Sequence, residues 1–149
     1  MIPRLVGMDT PADPLATLRA INDSAPFNRW CGIQVDSAAA GSTQISMPWR
    51  GEVGQYSGFL HAGLVGALID TACGFAAVTL VGRVLASHYS VNCLRPAVGA
   101  SFIARARVVK AGKSQVFAAA ELFAVADGAE TLVATGETLL SVVQAAQSS

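Results

Sequence analysis

The sequence predicts an α+β fold in which a curved antiparallel sheet wraps one long central helix. Three observations predict it. The run from Gly58 to Val81 is apolar at nearly every position, with Asp70 its only acidic residue and no lysine or arginine before Arg83. A helix apolar on all sides has to be enclosed rather than leaned upon. Segments on both sides of this run alternate with a period of two, the mark of half-buried strands. Finally, four strand-like runs follow one another without intervening helices, which favours an antiparallel sheet over parallel α/β units.

The elements follow in chain order. Residues 1–10 form a loose arm. Pro11 to Pro14 supply helix-start chemistry, and Leu15, Leu18 and Ile21 repeat at helical spacing to about Asp23. Pro26 is expected to break this helix. From Gly32 the period becomes two, placing Ile33 and Val35, then Ile45 and Met47, on one face, with a hairpin turn at Gly41-Ser42. Gly51 to Gly58 is a glycine-rich loop before the central helix. Gly63, Gly66 and Gly74 each cost that helix about 1 kcal/mol relative to alanine, an expense that close approach of backbone would explain. Beyond Gly82, SHYSVNCLRP reads as a strand ended by Pro96. SFIARARVVKAG sets Phe102, Ala104, Ala106 and Val108 against Ile103, Arg105, Arg107 and Val109. QVFAAAELFAVADG turns at Asp127-Gly128, and ETLVATGETLLSVV closes the sheet. We expect residues 1–31 as an arm and helix packed on the domain, 32–143 as the domain, and 144–149 as a frayed tail.

Composition narrows the function. With 149 residues the chain fits one domain, and formal charge sums to zero with no basic run, so nothing points to nucleic acid or an acidic membrane. Only 13% of residues are charged, which suggests that other copies of the chain cover part of its surface. Cys31, Cys73 and Cys93 have no metal-ligand spacing and read as buried thiols in a reducing compartment; two histidines, His61 and His88, cannot build a multi-histidine metal centre. No cofactor or metal is implied. The first fourteen residues lack the apolar core of a signal peptide, so a cytoplasmic location is expected. The run from Leu64 to Val81 is long enough to span a bilayer, but its central acid, its glycines and the surrounding alternation argue for a core helix.

Asp70 is the residue that asks for chemistry. Isolated in an apolar helix, an ionised carboxylate costs several kcal/mol or shifts its pKa. The helix start, at His61 and Ala62, presents backbone amides without internal partners and the positive end of the dipole, which suits an oxyanion. Eight residues separate Ala62 from Asp70, about 12 Å along a helix, whereas reacting groups must lie within about 3.5 Å. One helix cannot bring both to one carbonyl. Two antiparallel copies related by a two-fold axis can.

Gln55, His61-Ala62-Gly63 six positions later, and Leu68-Ile69-Asp70-Thr71-Ala72 with its acid nine positions after the histidine form a pattern. With the downstream segments LRPA, VVKAGKSQVFAAAELF and LVATGE, it resembles the hotdog-fold acyl-CoA thioesterases, most closely the phenylacetic-acid-degradation-related (PaaI-like) branch. The likeness runs from about Gly32 to Val143. Ala62 stands where that branch carries glycine; alanine keeps the N–H, and would be strained only at positive φ.

What the resemblance implies is specific. Asp70 acts as nucleophile or as general base for water, the Ala62 amide, with Gly63, binds the thioester oxygen, and Gln55 orients water or thioester. His61 shapes the helix start and polarises the carbonyl. Ser87 is the candidate for the supporting hydroxyl on the next strand. Arg95 and the Lys110-Ala111-Gly112-Lys113 turn are the candidate cations for coenzyme A. The substrate is then a small aromatic or medium-chain acyl-CoA, hydrolysed by a homodimer, with a homotetramer as the implied assembly. Two other readings fit the same residues: a hotdog dehydratase or hydratase with His61 essential, and an acyl-CoA-binding domain without turnover. A serine hydrolase is disfavoured, because no G-x-S-x-G is present and Ser57 lies in a loop.

Overall fold

The computed structural model describes residues 13–144. The expected N-terminal arm and most of the tail lie outside these residues. Asp13 caps the first helix, α1 (Pro14–Ser24), by accepting from the Ala16 N–H at 3.1 Å, with Pro14 in the first turn where its missing N–H costs nothing. Of the expected stripe, Leu18 is buried in the core and Leu15 packs against it partly buried, while Ile21 stays 40% exposed. Pro26 does end α1, but it also opens a second short helix, α2 (Pro26–Cys31), which the sequence reading lacked. Proline suits a helix start as well as a helix end, so its presence alone decides neither. Gly32 closes α2 at a left-handed φ of 76°. Asn22 donates to Ile33 O at 2.7 Å and accepts from Asn28 at 3.0 Å, tying both helices to the start of the sheet.

Among the described residues, six antiparallel strands form one sheet: β1 (Gln34–Ala39), β2 (Ser42–Pro48), β3 (Val84–Cys93), β4 (Ser101–Ala111), β5 (Gln115–Ala126) and β6 (Ala129–Val142), in the spatial order β1-β2-β4-β5-β6-β3. The first hairpin pairs Ala39 with Ser42, so its turn is Ala40-Gly41, one residue earlier than expected. At Asp127-Gly128 both residues have positive φ, 51° and 75°, the requirement of a two-residue hairpin and the reason for the Asp-Gly pair. The third helix, α3 (Ala62–Val81), is long and apolar enough to cross a membrane, yet the sheet encloses it, leaving Leu68, Ile69, Ala72, Cys73, Ala76 and Ala77 fully buried. Ile33, Val35, Ile45, Met47, Phe102 and Ala104 are all buried, as the alternation requires.

Close approach explains three glycines. A Cβ on Gly136 of β6 would lie 2.6 Å from Ser90 O and 2.7 Å from Ile69 Cγ2, so its absence lets α3 settle on the sheet. Gly136→Ala is expected to lower stability by about 1–3 kcal/mol through overpacking, read from the denaturant midpoint at unchanged slope. In α3 the approaching groups are side chains rather than the backbone expected: the His61 ring at Gly63, the Tyr89 ring at Gly66 and, at ordinary contact, Leu140 at Gly74. Among the described residues the strand β3 has a partner, β6, on one side alone, and most of its residues are exposed, Leu85 at 67%. An open, apolar strand edge is a surface that a second chain can pair with.

Candidate active site

The chain reaches the start of α3 through two short 3-10 turns, Gly51–Val53 and Tyr56–Gly58. Packing holds this connection in place. A Cβ on Gly54 would lie 2.5 Å from the Trp49 indole, so only glycine fits there, and Trp49 itself meets Phe102 edge-on. The His61 N–H donates to Val53 O at 3.0 Å, and the Leu60 N–H to Ala97 O at 3.0 Å, so the loop is stitched to the segment after β3.

His61 is the N-cap of α3. Its Nδ1 accepts from the Gly63 N–H at 2.8 Å, and its carbonyl accepts from Leu64 and Val65. This fixes the neutral ring with its proton on Nε2 and commits the Gly63 amide within the chain. Of the two amides expected at an oxyanion site, Gly63 is therefore occupied. Among the described residues, no acceptor meets the Ala62 N–H, and Ala62 is exposed. The strain that alanine could have brought does not arise: Ser57 and Asp127 are the non-glycine described residues with positive φ, and Ala62 is not among them.

Gln55, Phe59, Ala62 and Arg95 line one cavity of about 280 Å³ at this end of α3, closed below by Leu60, Val65, Ala97 and Val133. Cys93 lines it too. That thiol is exposed, against the expectation of three buried cysteines, because it ends an edge strand rather than facing the helix. Nothing in the local sequence separates Cys93 from the buried Cys31, which stands as near to Arg29 as Cys93 does to Arg95.

Asp70 sits two turns further along α3. Its Oδ1 is buried without a hydrogen-bond partner among the described residues, and burial raises its pKa above the ordinary aspartate value. Cys73, one turn on, is pushed up to about 11, above all by burial, so it is a neutral core thiol. Ser87 does not meet this carboxylate: at the bulge between Ala86 and His88, its hydroxyl is bonded to that of Ser141.

The expected coenzyme A cations divide between two places. Arg95 lies beside Ala62. Lys110, Gly112 and Lys113 lie at the β4–β5 tip, at the other end of α3. There Ser114 O accepts from the Val142 N–H at 2.9 Å, Val142 pairs with Val84, and Gly41 meets Leu80 and donates to Thr79. Lys110 borders a groove on the outer sheet face with His88, Phe117 and Glu137.

A family model described as the thioesterase superfamily matches residues 57–130, the span holding the end of the loop, α3 and the whole of β3, β4 and β5. A crystal structure of a thioesterase family protein from Silicibacter pomeroyi superposes with a TM-score of 0.83 at 35% identity, covering 86% of this chain and 96% of that one. The chain belongs to the thioesterase superfamily. This thioesterase is also 30% identical over 135 residues to a protein of Halobacterium salinarum whose name proposes an esterase, covering 83% of this chain and 89% of that one. It shares its fold with the PaaI protein of the phenylacetic acid degradation operon of E. coli, at a TM-score of 0.81 and 20% identity over 91% of this chain and 97% of that one. The α+β architecture with a wrapped central helix is thus the hotdog fold, and the activity class is thioester hydrolysis.

Proposed function

We propose that this thioesterase hydrolyses acyl-CoA, with a small aromatic or medium-chain acyl group, at a site completed across a homodimer. The carrying observation is the unpartnered Asp70 oxygen on the same helix as the uncommitted Ala62 N–H. About 12 Å separates them along the axis, too far for one carbonyl and right for two antiparallel helices. In that arrangement Ala62, Gln55 and Arg95 come from one protomer. Asp70 comes from the other, together with Lys110 and Lys113, whose position beyond the end of α3 then falls on the same side as the partner's Arg95. The open edge of β3 supports the pairing, and two such dimers would make the tetramer that the resemblance implies.

The Ala62 N–H, at the positive end of the helix, stabilises the oxygen as it gains charge. Asp70 either attacks the thioester carbon or takes a proton from water that attacks it. Gln55 orients the incoming group. His61 contributes by capping; its Nδ1 lone pair is engaged by Gly63, which disfavours a histidine base and with it the dehydratase reading.

Release of free thiol from a series of aromatic and aliphatic acyl-CoA esters tests the reading. A dehydratase or hydratase would change the acyl chain and keep the thioester, and a binding domain would leave both intact. Lys113→Gln is expected to raise KM several-fold at unchanged kcat, the pattern of a group that holds the nucleotide without touching the reaction. Steady-state kinetics at low and moderate ionic strength check it, since a surface charge contact weakens with salt.

A further inference from the structure

Gly66 lies one turn after Ala62 and one turn before Asp70, so the three share a face of α3. Tyr89 of β3 covers Gly66. A Cβ there would lie 3.2 Å from Tyr89 Cε2 and 3.7 Å from its hydroxyl oxygen, with Val91 beside it. The ring is nevertheless 51% exposed, so it presents a free surface on the face that carries both reacting groups.

Symmetry places that surface. If Ala62 of one helix faces Asp70 of its partner, and the reverse, the two-fold axis crosses the helices midway, at residue 66. We infer that the two Tyr89 rings flank this axis and form the inner wall of each acyl site, making Tyr89 the residue that limits acyl size. The inference rests on the shared-site reading. Coenzyme A enters from the outer side, where Arg95 and Lys113 lie, so an acyl group that continues past the thioester runs toward the axis. There it meets the ring after about one helical turn, roughly 6 Å. Gly66 is what lets the ring lie this close to the helix.

The test is selectivity, which a purely structural role would not move. For acetyl-, hexanoyl-, decanoyl- and phenylacetyl-CoA, kcat/KM is measured in wild type, Tyr89→Phe and Tyr89→Ala, with dimer and fold verified by sedimentation and circular dichroism. Tyr89→Ala is expected to raise the ratio of decanoyl to acetyl by about tenfold or more, in the range that a few methylenes command in an apolar pocket. Tyr89→Phe is expected to keep the wild-type ratio. A Tyr89→Ala ratio within about twofold of wild type, in a folded dimer, overturns the inference. Should Tyr89→Ala fail to fold, Gly66→Ala answers instead. Its methyl displaces the ring by a few tenths of an ångström, so the same ratio should fall, and an unchanged ratio overturns the inference equally. Failure of the underlying reading looks different: Asp70→Asn would then remain active, whatever Tyr89 does.

Discussion

Asp70→Asn is expected to lower thiol release by about 10³-fold or more while the protein stays folded and assembled, the loss typical of removing a positioned base or nucleophile. Asparagine keeps the shape and loses the charge, so the change isolates the chemistry. The pH dependence follows from burial, which raises the Asp70 pKa. Activity requires the ionised carboxylate, so kcat/KM should rise with pH through a limb lying above the ordinary aspartate value, and that limb should vanish in the variant. Stability runs the other way. A carboxyl whose folded pKa exceeds its unfolded pKa contributes stability below the unfolded value and loses it as pH rises through the folded one. Above that window Asp70→Asn should be at least as stable as wild type, a comparison made by denaturant unfolding at neutral and acidic pH. Full activity in folded Asp70→Asn would remove Asp70 from the mechanism.

Ala62→Pro should cost about 10²–10³-fold in kcat with little change in stability, the loss expected for one oxyanion donor. The substitution is unusually clean. Ala62 is the first residue of α3, where proline is favoured, and His61 before it already has the extended φ of −60° and ψ of 134° that proline demands. Ala62 is exposed, so the ring has room, and what disappears is one N–H. Mixing this variant with Asp70→Asn then asks who owns the site. A mixed dimer contains one site with both groups and one with neither. Random reassortment of equal amounts makes half the dimers mixed, so about a quarter of wild-type activity should return. A site within one protomer would return none. That outcome would end the shared-site reading even if each single variant behaved as expected.

Much of this molecule is written locally. The alternation in β1, β2 and β4, the Asp-Gly turn before β6 and the all-round apolar character of α3 are short-range signals, because a residue's face follows from the period of its own element. His61 as helix start and Asp70 as the lone acid of α3 were legible for the same reason. Cooperation between residues was not. That Ser87 turns to Ser141, that Cys93 is exposed, and that Arg95 joins Gln55 while Lys113 lies at the far end all depend on which strand neighbours which. The order β1-β2-β4-β5-β6-β3 pairs segments distant along the chain, and periodicity within an element carries no record of its partner. Local pattern was enough for α1, α3, the strands, their buried faces and the carboxylate in the core helix. Which cation and which ring share a cavity or a face with the reacting groups came from the fold, because long-range packing, not local pattern, sets those distances.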